Sequence, residues 1–248
     1  MVQAPPQAQP RYYFDIQQGT DEWHALRRGV ITASAIGKLL TATGKPANND
    51  TSRAQLYQLL AERVTGESDQ GFYNDDMARG HLLEPYARDL YAKNFDPVAE
   101  CGFITLTTSA GTLGYSPDGL VGDDGLIEIK CPRPKTHLKS LLTGVLPVEY
   151  VPQVQTGLVV TGRRWCDYIS YSPGLPLFVQ RCGPELAVHE QIFAAHEAAE
   201  RQLDQLMADY RNAAAKFPAT ELVEVKIPPR TRAAALAAGI DPDSIELF

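Results

Sequence analysis

Residues 116–132 read SPDGLVGDDGLIEIKCP. The Asp123–Asp124–Gly125 run is a hairpin turn signal, and the apolar, β-branched run after it reads as a strand over 125–131. Glu128 and Lys130 are two residues apart on that strand, so their side chains leave the same face. Asp118 lies on the preceding arm, where the hairpin can bring it to the same end. Two carboxylates and a lysine thus converge, inside a run that is otherwise apolar. Paired charges among such neighbours are costly unless they serve a purpose.

The hairpin sits in a mixed order of elements. Upstream, the spacing predicts helices over 21–28, 34–40, 51–64 (capped by Thr51) and 75–94. The last of these carries Leu82, Leu83, Tyr86, Leu90 and Tyr91 as its apolar face. Strands are predicted over 98–107 and 112–121. Downstream follow helices over 135–142 and 149–161, strands over 165–172 and 176–181, and a long helix over 185–215. Helices, a strand meander, a helix, strands and a helix make a layered α/β domain. The first ten residues, MVQAPPQAQP, read as a flexible arm, 11–216 as the domain, and 217–248 as a C-terminal extension.

The 248 residues are 44% hydrophobic and 21% charged, enough for one sizeable core. No apolar run is long enough to span a bilayer, and the N-terminus does not read as a signal peptide, so a cytoplasmic location is expected. Four cysteines at 101, 131, 166 and 182 show no C-x-x-C spacing and read as reduced thiols. The net charge is −7, yet residues 1–63 carry seven Lys/Arg against five Asp/Glu, and residues 126–181 seven against three. Locally basic stretches in an acidic chain can still line a groove for phosphates.

Asp118 and Glu128 supply hard oxygen donors suited to Mg²⁺ or Mn²⁺. A lysine beside them places positive charge where a phosphate or an attacking water would sit, and proximity to metal ions would depress its pKa. That combination suits phosphodiester hydrolysis. The same residue types also occur on ordinary exposed strand faces.

Four blocks in order resemble the YqaJ-type viral recombinase family, the phage lambda exonuclease-like members of the PD-(D/E)xK nuclease superfamily. They are GTDEWHALRRGVITAS at 19–34, ARGHLLEPYARDLY at 78–91, the hairpin block at 116–132, and YVPQVQTGLVVTG at 150–162. The resemblance spans about residues 19–210 and implies a restriction-endonuclease-like core, a central mixed β-sheet flanked by helices. It also implies a two-metal, Mg²⁺-dependent 5′–3′ exonuclease. Such an enzyme digests the 5′-terminated strand of linear duplex DNA to mononucleotides and leaves 3′ overhangs for recombination by annealing. By position, Asp118, Glu128 and the main-chain carbonyl of Ile129 would hold metal, and Lys130 would act on the nucleophilic water. Gln153 would support the site from a facing helix, and Glu84 would add a further acid. Arg27 and Ser34, joined by Ser116, match a 5′-phosphate pocket, with Arg28 a weaker match than Arg27. A ring-shaped homotrimer enclosing DNA and a single-strand annealing partner are likewise implied, as is a phage or prophage origin.

Two positions depart from the pattern. Asp75 stands near a position where the lambda enzyme has a phosphate-contacting lysine, and an acid cannot make that contact. Met77 falls where that enzyme places an apolar strand wedge, and methionine is also a common core filler. Three alternatives remain open on sequence alone: an endonuclease of the same superfamily, of restriction or repair type; a catalytically inactive DNA-binding relative; and a scaffold with a fortuitous E-x-K.

Overall fold

The structure is a computed structural model and describes residues 9–68 and 75–221. Most of the N-terminal arm, most of the C-terminal extension and the side chain of Asp75 lie outside the described residues. In chain order the elements are β1 (Arg11–Tyr13), α1 (Asp21–Arg27), β2 (Ile31–Thr32), α2 (Ala33–Ile36) with a 3₁₀ turn at Gly37–Leu39, α3 (Asp50–Thr65) and α4 (Asp75–Asn94). Then come β3 (Phe103–Thr107), β4 (Thr112–Tyr115), β5 (Gly119–Val121), β6 (Gly125–Lys130), α5 (Pro134–Thr143), a 3₁₀ turn at Val148–Tyr150, α6 (Val151–Thr161), β7 (Trp165–Ser170), β8 (Phe178–Cys182) and α7 (Leu186–Ala214).

Local chemistry sets several of these boundaries. Thr20 caps α1 by accepting from Trp23 N, and Asp21 and Glu22 follow in the first turn, where the helix dipole favours acids. The cap of α3 is Asn49 rather than Thr51. Its side chain accepts from Ser52 N while Ser52 Oγ accepts from Asn49 N, a reciprocal capping box. Gly66 closes α3 in the left-handed conformation, at φ 71°.

The α/β class is as expected, and the strands form two four-stranded mixed sheets flanked by helices. One has the order β1-β3-β4-β2 and the other β5-β6-β7-β8. Each contains one parallel pair, β2 with β4 and β6 with β7. The segment expected as one strand over 112–121 is two, broken at residues 116–118 where the chain leaves the first sheet for the second. Pro117 lies in that break and has no N–H to continue a ladder. A short two-way bridge between Ala99 and Leu120 accounts for the strand signal before β3.

The larger core joins β3, β4, α3, α6 and α7 through residues such as Ile104, Leu113, Leu59, Leu158 and Ile192, and it includes Leu126 of β6. A smaller cluster on the other face of β6 contains Ile127, Ile129, Ala87, Tyr91 and Ile169. Thus α6 and α4 cover opposite faces of β6. The apolar face expected on α4 holds at Tyr91 and is corrected at Leu82 and Tyr86. Leu82 and Tyr86 are exposed, at 57% and 66%, while Ala78, Ala87 and Tyr91 are buried. The helix is rotated so that small residues meet the sheet and Glu84 and Arg88 face inward. Gly157 lets α6 approach closely: a Cβ there would lie 2.8 Å from the Tyr115 ring. No helix among the described residues is long and apolar enough to cross a membrane.

Candidate functional site

Pairing between β5 and β6 covers only Gly119–Val121 against Gly125–Ile127. Beyond Ile127 the β5 side of β6 is an open edge, and the Asp118 side chain occupies it. Asp118 Oδ2 accepts the Ile129 N–H at 2.5 Å, taking the place of a ladder bond. The Lys130 carbonyl faces β7, where it accepts Tyr171 N at 2.9 Å. Successive residues of a strand alternate in the side to which their N–H and C=O point, so the Ile129 carbonyl lies on the Asp118 edge.

Glu128 is fully buried yet densely bonded. Its Oε1 accepts from Lys130 Nζ at 2.7 Å and from Gln153 Nε2 of α6 at 2.5 Å, and its Oε2 accepts from Tyr115 OH at 3.1 Å. Lys130 Nζ also lies 5.6 Å from the Tyr150 ring centroid. The sheet alternation read from sequence therefore holds. Glu128 and Lys130 share a face, and that face is interior rather than solvent.

From α4, Glu84 Oε1 accepts from Arg88 Nη2 at 2.5 Å. Arg88 also donates to the Asp118 carbonyl at 2.7 Å and to Glu100 at 3.3 Å. Arg88 thus ties Glu84, four residues earlier on its own helix, to the chain break that carries Asp118. A cleft of about 550 Å³ runs along this edge, lined among others by Met77, His81, Glu84, Ile129, Lys130 and Tyr150. Met77 is 48% exposed at its wall.

Burial holds the Asp118 carboxyl well above its ordinary range, and the charges of Glu128 and Glu84 push the same way. Glu84 is raised by burial too, against the opposing pull of Arg88. For Lys130, burial acts to lower the ammonium, but the charges of Glu128 and Asp118 outweigh it and hold it above its ordinary value. The depression expected from sequence belongs to the metal-loaded site, where bound ions would add positive charge beside this lysine. Among the described residues no group of three His, Cys, Asp or Glu side chains forms a metal cage. Two carboxylates and a main-chain carbonyl are nevertheless a fitting donor set for Mg²⁺, which keeps several waters and needs few protein ligands. Burial is the main cause of the raised Asp118 carboxyl, and the neighbouring Glu128 and Glu84 charges add to it; a bound cation would offset those charges.

The second group of expected residues is partly assembled. Arg27 Nη1 donates to Ser116 Oγ at 2.7 Å, and the Trp23 indole N–H reaches the same oxygen at 3.0 Å. The Arg27 guanidinium lies 4.2 Å from the Trp23 ring centroid. Burial lowers Arg27 to about 10, with Glu62 opposing. Ser34 is exposed and pairs instead with Thr32 Oγ1 at 3.1 Å. The Arg28 Nε is buried and has no hydrogen-bond partner among the described residues.

Three contributors escaped the sequence reading. Tyr115 reaches Glu128 from the strand before the break, with no local signal beyond adjacency to Ser116. Trp23 supports Ser116 across 93 residues. Arg88 was discoverable, since it stands four residues after Glu84 on a helix, where side chains meet. All four cysteines are free thiols, as expected; Cys101, Cys166 and Cys182 are buried and Cys131 is half-buried.

Comparisons with known proteins bear on the family and the fold. A family model for the YqaJ-like viral recombinase domain matches residues 22–164, more than half of the chain. The alkaline exonuclease LHK-Exo from Laribacter hongkongensis is 36% identical, with a TM-score of 0.71, covering 79% of this chain and 99% of that one. Its structure in complex with dAMP aligns at 38% identity and a TM-score of 0.72, with the same coverage. A phage-related exonuclease from Haemophilus somnus shares the fold at 13% identity and a TM-score of 0.53, covering 75% of this chain and 98% of that one. A search of curated proteins gave no match. On the family model and the LHK-Exo alignments, the chain belongs to the YqaJ-like viral recombinase domain family.

Proposed function

We propose that this protein is a Mg²⁺-dependent 5′–3′ exodeoxyribonuclease acting on the ends of linear duplex DNA, with Mn²⁺ as a substitute ion. The observation that carries the reading is the open edge of β6, where Asp118, Glu128, Lys130 and Gln153 meet beside a cleft. Its nuclease chemistry is supported by family membership and by the alkaline exonucleases it resembles. The dAMP bound to LHK-Exo, a deoxynucleoside monophosphate, supports mononucleotides as the product.

In this reading Asp118, Glu128 and the Ile129 carbonyl hold the metal. When bound, the ion polarises the scissile phosphate and makes a water more acidic. Gln153 fixes the Glu128 carboxylate, and Tyr115 fixes it from the other oxygen. Lys130, beside Glu128, would orient or deprotonate the water and offset negative charge on the phosphate. Glu84 adds a carboxylate on the α4 side of the cleft. Arg27 and Ser116, with Ser34, take the 5′-terminal phosphate, and Met77 stands at the cleft wall as a strand wedge. Residues 11–216 form the exonuclease domain. A homotrimeric ring, a single-strand annealing partner and action in the cytoplasm of a phage-bearing bacterium complete the proposal.

The test compares linear duplexes bearing a 5′-phosphate or a 5′-hydroxyl with a closed circle, in Mg²⁺ and in EDTA. The expected result is Mg²⁺-dependent release of mononucleotides from linear ends, fastest with the phosphate, and an intact circle. Cleavage of the circle would assign an endonuclease instead. Binding without hydrolysis in Mg²⁺ would assign a non-catalytic relative.

A further inference from the structure

The turn that follows Arg27 is held in an unusual way. Gly29 is buried in the left-handed conformation, at φ 67°. Its N–H donates to Glu62 Oε2 at 2.7 Å, and its carbonyl accepts from Arg63 Nε at 2.8 Å. Two adjacent side chains of α3 therefore take both polar main-chain groups of one residue. The stem of Arg63 lies against Gly29 so closely that a Cβ there would be 2.6 Å from Arg63 Cγ. Arg63 is fixed in turn from α7, where Glu200 accepts its two terminal nitrogens at 2.8 and 2.9 Å. Val30 N closes the turn on the Arg27 carbonyl at 3.0 Å.

We infer that Arg63, braced by Glu200, is a positioning residue for phosphate recognition by Arg27. The inference rests on the reading that Arg27 receives the terminal phosphate. Three observations converge on it. The guanidinium of Arg27 is set on one side by Trp23 and Ser116, and its main chain is set on the other side by the Gly29 clamp. Arginine binds phosphate through a planar fork, whose alignment tolerates little displacement. The brace itself is a largely buried ion pair, with side-chain exposures of 27% and 9%. Apolar residues of similar volume often replace such pairs without loss of stability, so its directional bonds are better explained by the geometry they impose. Neither residue has a bond to Asp118, Glu128 or Lys130, so the brace should govern end recognition rather than the hydrolytic step.

The experiment measures kcat and KM on linear duplexes with 5′-phosphate and 5′-hydroxyl ends for the wild type, Arg63→Met and Glu200→Gln, with thermal melts of each. Arg63→Met keeps the stem and removes the donors. Glu200→Gln is nearly isosteric and carries the same test if Arg63→Met fails to fold. Both should lower the ratio of kcat/KM for phosphate over hydroxyl ends, by about tenfold for Arg63→Met, through KM for the phosphorylated end. A ratio unchanged in a folded variant, or equal losses on both ends, would overturn the inference and leave a structural tie. A wild-type ratio of one would remove the phosphate-pocket reading itself, and the brace with it.

Discussion

Asp118→Asn should abolish hydrolysis while making the metal-free protein more stable. The argument comes from the surroundings of the carboxylate. Asp118 accepts a 2.5 Å bond from Ile129 N, which the asparagine carbonyl can also accept. What asparagine removes is the negative charge, and that charge is unfavourable here, since burial and two neighbouring carboxylates hold the carboxyl well above its ordinary range. A raised carboxyl pKa means that the folded protein binds more protons than the unfolded chain between the two values. The metal-free wild type therefore loses stability as pH rises from the unfolded value through the folded one, and the variant should show a shallower slope, with raised Glu84 still contributing. Lys130 attracts the charge and reduces the gain, so stabilisation by about 1–2 kcal/mol is expected, in the range typical of relieved functional strain. For a domain of this size that is a rise in Tm of roughly 2–8 °C. The assay is thermal unfolding in EDTA from pH 5 to 8, paired with mononucleotide release in Mg²⁺. A lower Tm for the variant in EDTA, or retained hydrolysis, would refute the reasoning.

Three further outcomes follow from other contacts. Gln153→Ala removes the 2.5 Å bond to Glu128 and should cut kcat about 10- to 100-fold with unchanged far-UV circular dichroism; a loss confined to KM would contradict that role. Tyr91→Phe deletes the 2.7 Å bond to buried Asp167, which keeps its Arg181 fork, so unfolding should become easier by about 1–2 kcal/mol with hydrolysis intact, read by urea titration. Gly125→Ala would place a Cβ 2.2 Å from the Trp165 ring, against which Arg181 stacks at 3.6 Å, and should cost about 1–3 kcal/mol or more in the same titration.

Much of the site was legible because it is local. The Asp-Asp-Gly turn and a period of two place Glu128 and Lys130 on one face without knowledge of the rest of the chain. Glycines at 66, 144 and 162 end their helices as their freedom at positive φ allows. The orientation of α4 was not legible. Leu82, Tyr86 and Tyr91 all belong to the expected face, but of these three only Tyr91 is buried, beside Ala87, since helix periodicity gives a face and not the partner it meets. Capping was likewise displaced by two residues, from Thr51 to Asn49, because several neighbouring polar residues can each start a helix.

The sequence by itself determined the hairpin, the spacing of its charged residues, the order of helices and strands, and the blocks that mark the family. These depend on contacts within a few residues, which period and turn chemistry encode directly. Only the tertiary structure decided that the strand breaks at 116–118, so that Asp118 caps Ile129 on the open edge of β6. It alone joined Arg27 to Ser116 across 89 residues and Arg63 to Glu200 across 137. Those contacts depend on how two sheets and their covering helices close on each other, and no local periodicity carries that information.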